Sequence, residues 1–151
     1  MNHPERLADY LGHINEAIDD AISFLADFGS VAAFEQDRRS QYAVIRAIEI
    51  IGEAASRIRN MAPEFVAEHP EIPWDVMRGM RNKMIHEYAD IDLDVVFHTV
   101  KNDLPPLQEQ LIPLLAQQAE LHERLAREKA HIEAQERQHG QEPEQEQEYS
   151  R

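Results

Sequence analysis

The segment LADYLGHINEAIDDAISFLADF, residues 7–28, decides the fold class. Its large apolar side chains recur every three or four residues, which places them on one side of an α-helix. They are Leu7, Leu11, Ile14, Ile18, Ile22, Leu25 and Phe28. The pattern predicts one long amphipathic helix that ends near Gly29 and whose apolar stripe must pack against other helices.

The sequence after residue 29 predicts two more helices. The same spacing returns over residues 40–61, and Pro63 then interrupts it. Residues 30–34 leave room for only a short helical turn. Pro63, Pro70 and Pro73 mark a connector. Because proline is tolerated at the start of a helix, Pro73 suits the first turn of the third helix.

The remainder of the chain is also helical in pattern and contains no strand pattern. Asp92 is a plausible N-cap, and the prolines in residues 103–106 should kink or restart the helix after it. We therefore predict an all-α, antiparallel bundle of about four to five helices in residues 1–115. A charged helical extension should occupy residues 116–138, and a Gln- and Glu-rich disordered tail residues 139–151.

Composition limits the functions that fit the chain. Its 151 residues suit one core, and the absence of cysteine excludes disulfides, thiolate metal sites and Cys nucleophiles. No signal peptide or stretch of ~20 apolar residues is present, so we expect a soluble cytoplasmic protein without membrane contact. The net charge of -14 argues against broad nucleic-acid affinity.

The basic residues are clustered along the sequence although the net charge of the chain is negative. Eight of the ten Lys and Arg residues before residue 117 fall in two segments, residues 38–59 and 78–83. They would form a basic cleft on an acidic body, or they are ordinary solvated helix faces. The sequence leaves both open.

Residues 81–88, RNKMIHEY, gather the chemically capable side chains in an Arg-x-x-x-x-His-x-Tyr pattern. Arg81 offers a permanent cation suited to phosphate, and His86 can transfer a proton near neutral pH. On an ideal helix they lie roughly 140° apart, while Tyr88 returns close to the Arg81 face. The turn signals after Tyr88 favour a helix that unwinds near His86 and lets His86 and Tyr88 swing toward Arg81. The apolar stripes of a small bundle also allow a second subunit to complete the site, and the two are compatible.

This motif resembles that of the HEPN superfamily, specifically its HepT branch, the toxin half of HepT/MntA toxin-antitoxin pairs. The resemblance extends to AVIRAIEIIGEAASRI at residues 43–58, Ile-Pro-Trp at residues 72–74 and Asp-Ile-Asp at residues 90–92. It covers about residues 6–115. The extension beyond has no counterpart in it.

The resemblance implies a homodimer with two motifs facing a shared cleft, and metal-independent endoribonuclease activity on RNA without a cofactor. Arg81 would bind the scissile phosphate, His86 would act as general base or acid, and Asn82 would orient one of them. Tyr88 matches the residue that a cognate MntA-like nucleotidyltransferase antitoxin modifies with AMP. The products would carry a 2′,3′-cyclic phosphate, because the 2′-hydroxyl is the nucleophile.

Other residues are weaker candidates. Arg78 and Lys83 are possible RNA contacts, although Arg78 would equally pair with an acid. Glu49 and Glu53 share a helix face and are more simply a salt-bridged surface than a metal site. Trp74 would stack on a base or, more simply, belong to the core. The other histidines lack ligand spacing.

Two further functions remain open. One is a HEPN-like module that docks a nucleotidyltransferase or nucleotide without cleaving anything, which the acidic charge favours. The other is a coiled-coil assembly protein, which would use the helical extension but leave the motif unexplained.

Overall fold

Residues 4–140 are described by a computed structural model, and all of their regular secondary structure is helical. Four long helices form the bundle and three short ones lie in the connections. In chain order they are α1 (Pro4–Leu25), α2 (Val31–Glu35), α3 (Arg38–Met61), α4 (Pro63–Glu68), α5 (Trp74–His86), α6 (Leu93–His98) and α7 (Leu104–His139). The predicted all-α bundle is confirmed.

The core lies where α1 packs against α3 and α7, and where α3 packs against α5. The stripe that predicted α1 is the buried one, since Leu11, Ile14 and Ile18 are fully enclosed. Gln108 of α7 donates to Asn15 of α1. Lys101, seven residues earlier, donates to the Leu25 carbonyl oxygen at the far end of α1. These two helices therefore run antiparallel.

Three side chains cap helix starts and fix where those helices begin. Asp92 accepts hydrogen bonds from the backbone N–H groups of Asp94 and Val95, which confirms the cap predicted for α6. Asp37 caps α3 and Ser30 caps α2 in the same way. Each cap satisfies an amide that has no partner within its helix.

The helix ends differ from the sequence prediction at two places. Helix α1 ends at Leu25, and the chain turns through Phe28 rather than continuing to Gly29. The proline-marked connector contains α4, because Pro63 sits at its first turn, where a missing amide costs no hydrogen bond.

The prolines of residues 103–106 restart the helix as predicted. Residues Thr99–Asp103 form a π-helical turn, in which the Leu104 amide bonds to the Thr99 carbonyl. Pro105 and Pro106 have no amide to donate to the preceding carbonyls, so the α-helical ladder cannot run through this point unchanged.

Helix α7 leaves the bundle about a third of the way along its length. Leu114 is its last buried residue, and the side chains from Ala116 to His139 are exposed or only partly covered. The predicted helical extension therefore forms, and it reaches His139. The predicted disordered tail falls almost entirely outside the described residues. Within residues 4–140, no helix is both long and apolar enough to span a bilayer.

Candidate active site

The motif occupies the end of α5. This helix follows Pro73 and ends at His86, where the amide of Glu87 bonds back to the Lys83 carbonyl. A turn comes next, closed by a bond from the Asp90 amide to the Glu87 carbonyl. Tyr88 lies in this turn and its side chain is 80% exposed.

Helices α3 and α5 run antiparallel and are joined by polar contacts spaced about one turn apart. The contacts are Arg59–Asp75 at 2.9 Å, Arg78–Ser56 at 3.3 Å and Arg81–Glu53 at 3.2 Å. Residue numbers rise along α5 as they fall along α3. This register brings Arg81 of the motif opposite Glu53.

Arg81 is held from two sides. Its Nη2 lies 3.2 Å from Glu53 Oε2, and its Nη1 donates to Asn82 Oδ1 at 3.0 Å. The side chain is 32% exposed, and its Nε is buried without a hydrogen-bond partner among the described residues. Because Glu53 also accepts a bond from Arg57 at 3.0 Å, one carboxylate orients two guanidinium groups.

Gly52 makes this arrangement possible. A Cβ atom at Gly52 would overlap the Cβ of Arg81 and lie 2.6 Å from the Met77 carbonyl oxygen. The backbone of α3 therefore approaches α5 at the motif arginine more closely than any residue with a side chain allows. Sequence reasoning missed this role. The available signal was a glycine inside a helical pattern, which costs ~1 kcal/mol relative to alanine and so calls for a packing reason.

His86 and Arg81 do not share a face of α5. The helix stays intact through His86, so five residues separate the two side chains by roughly 140° around the axis. The helix ends at His86, near the place where unwinding is predicted, but His86 itself is still helical and only Glu87 and the residues after it leave the helix. His86 is exposed. A single copy of the chain thus presents the motif's acid-base group and its cation on different faces.

The weaker candidates have clear positions. Lys83 is exposed, and no ion pair to it is seen within residues 4–140. Arg78 donates to Ser56 and lies 3.5 Å from Asp75, so it is tied to the interface of α3 and α5. Trp74 is 5% exposed and donates its indole N–H to the His69 carbonyl, which confirms the core interpretation.

The basic segments are largely paired with acids. Arg46 pairs with Glu49 and Arg57 with Glu53, so both glutamates belong to a salt-bridged surface, as the simpler interpretation predicted. No group of three His, Cys, Asp or Glu side chains close enough to hold a metal ion occurs in the part of the chain that the structure describes. The arginines therefore place positive charge at separate points of the surface, each beside an acidic partner, and do not form a broad positive patch.

An apolar groove of about 550 Å³ lies between α3, α5 and the start of α7. From α5 it is lined by Val76, Met77 and Met80, and from α7 by Leu104 and Leu107. Val76 is 65% exposed although it lines the groove. Such an exposed apolar surface on the motif helix is suited to contact with another protein surface.

A helical bundle whose motif helix carries Arg81, Asn82, His86 and, just past its end, Tyr88 defines a HEPN-type domain. Comparison with known proteins agrees. The profile of the family described as Ribonuclease HepT-like matches residues 14–114. The chain is 46% identical over 103 residues to a protein of Thermococcus cleftensis named "Probable ribonuclease HepT", covering 66% of this chain and 87% of that protein.

A second relative, from Methanocaldococcus jannaschii and named as a candidate RNase, is 38% identical over 102 residues, covering 68% of this chain and 90% of the relative. No solved structure matches significantly. The chain belongs to the HepT-like ribonuclease family. The family profile ends at the last buried residue of α7, where the extension leaves the bundle.

Proposed function

We propose that this protein is a metal-independent endoribonuclease and the toxin of a toxin-antitoxin pair. The observation that carries the proposal is the Arg81 guanidinium, held between Glu53 and Asn82 on a helix that ends at an exposed His86. A fixed cation stabilises developing negative charge without reorganising, and an exposed imidazole can exchange protons. Family membership supports RNA as the substrate.

The reaction uses the substrate's own 2′-hydroxyl. His86 accepts its proton, the oxygen attacks the adjacent phosphorus, and the bond from phosphorus to the 5′-oxygen of the next nucleotide breaks. The leaving oxygen takes up a proton from solvent and His86 later returns its proton to solvent, so the new end carries a 2′,3′-cyclic phosphate. Arg81 offsets the charge that gathers on the phosphoryl oxygens, and Asn82 keeps the guanidinium in place. DNA, which lacks the hydroxyl, is not cleaved.

The active unit in this proposal is a homodimer. Arg81 and His86 lie on different faces of α5, so a second copy is needed to bring both groups to one phosphate. The apolar groove beside Val76 and Met80 supplies a surface on the same helix for that second copy. Burying it would also remove exposed apolar area from water.

Control is assigned to Tyr88. Its phenol lies two residues past the motif histidine and is 80% exposed, so a modifying enzyme can reach it. A cognate MntA-like nucleotidyltransferase would bring ATP, whose α-phosphorus is attacked by the phenolic oxygen; pyrophosphate leaves and the phenolic proton is released. The attached AMP would compete with RNA for Arg81 and block the cleft.

One observation favours the alternative of a docking module that cleaves nothing. Both terminal nitrogens of Arg81 already have partners, Glu53 and Asn82. In that case the guanidinium serves only to join α3 to α5, and Tyr88 with its turn forms the surface that the nucleotidyltransferase recognises.

A cleavage assay distinguishes the two functions. The wild-type protein, incubated with single-stranded RNA in EDTA, should give fragments ending in a 2′,3′-cyclic phosphate, whereas Arg81→Ala and His86→Ala should give none. Both variants should keep the helicity of the wild type, because neither side chain is enclosed in the core. Undiminished cleavage by either variant would refute the assigned roles. Activity that disappears in EDTA and returns with a divalent ion would refute metal independence.

A further inference from the structure

A second groove, of about 330 Å³, lies between α1 and α3. Its polar lining consists of Tyr10 and His13 from α1 and Arg46, Glu53 and Arg57 from α3. The proposed reaction uses none of these side chains directly. The groove nevertheless shares one residue, Glu53, with the surroundings of Arg81.

Glu53 joins the groove to the motif. Its Oε1 accepts a bond from Arg57 Nε, while its Oε2 lies 3.2 Å from Arg81 Nη2. The two guanidinium groups are therefore held on the two oxygens of one carboxylate. Arg57 and the groove beside it therefore lie next to Arg81.

The arginines of the groove have N–H groups that can bind a phosphate. Arg57 contacts Glu53 through Nε alone, and Arg46 contacts Glu49 through Nη1 alone, among the described residues. The terminal nitrogens of Arg57 are thus available to another acceptor, and its side chain is 60% exposed. The groove is lined by two guanidinium groups, Arg46 and Arg57, and one carboxylate, Glu53, so its lining carries net positive charge on a chain of net charge -14.

Two rings supply the contact for a base. Tyr10 and His13 meet edge to face, with centroids 5.8 Å apart and ring planes at 83°. Tyr10 is half-buried, so its side chain is partly packed against the protein and partly exposed to solvent. Stacking on a fixed aromatic ring tolerates any base, because every base has a π face.

We propose that this groove binds the nucleotide adjoining the scissile phosphate in single-stranded RNA, with its base stacked on Tyr10 beside His13 and its phosphate on Arg57. The proposal rests on the proposed ribonuclease function and deepens it. Aromatic stacking beside a positive groove is how proteins bind single strands without reading their sequence. It also explains how an acidic chain can hold RNA, since the favourable contacts are concentrated next to Arg81.

Binding is measured apart from cleavage by using the His86→Ala protein and a fluorescent single-stranded RNA of about ten nucleotides. In this background Tyr10→Leu should weaken binding about tenfold, because it removes the ring while keeping an apolar side chain. Tyr10→Phe should bind like the wild type, because it keeps the ring and loses only the hydroxyl, and equal melting of the Leu and Phe variants shows that the loss in Tyr10→Leu is not structural. Unchanged affinity in Tyr10→Leu, with helicity and melting also unchanged, would overturn the proposal.

The charge contribution has a matched control two residues along α3. Arg57→Gln should weaken binding about tenfold. It should also make the negative slope of log binding constant against log salt concentration shallower by about 0.7, the value for one phosphate contact on a single strand. Arg59→Gln makes the same change in net charge, but Arg59 pairs with Asp75 of α5 and does not line the groove. It should leave affinity within about twofold. Equal effects of the two substitutions would mean that only net charge matters and that the groove is no subsite.

The outcomes separate this proposal from the proposed function. Groove-dependent RNA binding by a wild-type protein that cleaves no RNA would refute the ribonuclease and leave the subsite standing. Cleavage by the Tyr10→Leu protein with the wild-type KM and kcat would refute the subsite and leave the ribonuclease standing. Failure of the His86→Ala protein to bind RNA at all would overturn the subsite, whatever the cleavage assay shows.

Discussion

Replacing Gly52 with alanine should separate α3 from α5 and displace Arg81. The added Cβ would overlap Arg81 Cβ and approach the Met77 carbonyl oxygen to 2.6 Å, whereas ordinary van der Waals contact begins near 3.4 Å. The carbonyl contact alone requires the backbones to move apart by about 0.8 Å, and the closer overlap with Arg81 Cβ requires more. Neither obstacle can rotate away, because one is a backbone atom and the other is a Cβ.

The size of the effect follows from two opposing contributions. Overpacking a close contact costs about 1–3 kcal/mol, and rigid obstacles place this site in the upper half of that range. Alanine gains about 0.5–1 kcal/mol over glycine within a helix. The free energy of unfolding should thus fall by about 1–2.5 kcal/mol. Cleavage should fall with it, because Arg81 loses its position against Glu53.

Two other glycines provide matched controls. At Gly12 in α1 and Gly79 in α5, an added Cβ would meet no atom within 4 Å, so alanine at either site should raise stability by about 0.5–1 kcal/mol. Urea denaturation followed by circular dichroism measures all three variants, and the RNA cleavage assay is run on each. If Gly52→Ala proves as stable as Gly12→Ala, the close approach of α3 to α5 is wrong.

Three further predictions follow from the motif and the ends of the domain. Co-expression with a cognate nucleotidyltransferase should add the mass of one or more AMP units to the peptide containing Tyr88 and abolish cleavage; if Tyr88→Phe is neutralised as well as the wild type, inhibition comes from docking alone. Light scattering should show a dimer for the wild type and a monomer for Val76→Glu, because a carboxylate buried in an apolar interface is strongly unfavourable. The monomeric variant should cleave no RNA. A dimeric, active Val76→Glu variant would exclude the groove as the interface. A chain ending at residue 115 should keep the helicity per residue, melting cooperativity and activity of the full chain. If that chain unfolds, the extension belongs to the domain. Removing residues 139–151 alone should change neither assembly nor activity.

The fold was largely predictable because helical periodicity is a local property of the chain. The stripe of α1, the cap at Asp92 and the restart at Pro105 and Pro106 each depend on residues within a few positions of one another. Helix ends were less predictable. Whether the chain continues past Leu25 or turns there depends on packing against other helices as well as on the local sequence.

By itself, the sequence determined the helical class, the position of the motif and the residues that belong to it, because each follows from side-chain chemistry and short-range spacing. Only the tertiary structure decided which partners those residues meet. The antiparallel register of α3 and α5 sets Glu53 against Arg81 and requires a glycine at position 52, although these residues are far apart in the chain. The intact helix through His86 likewise separates the two motif groups. Such contacts depend on how two surfaces interlock, and no local pattern specifies that.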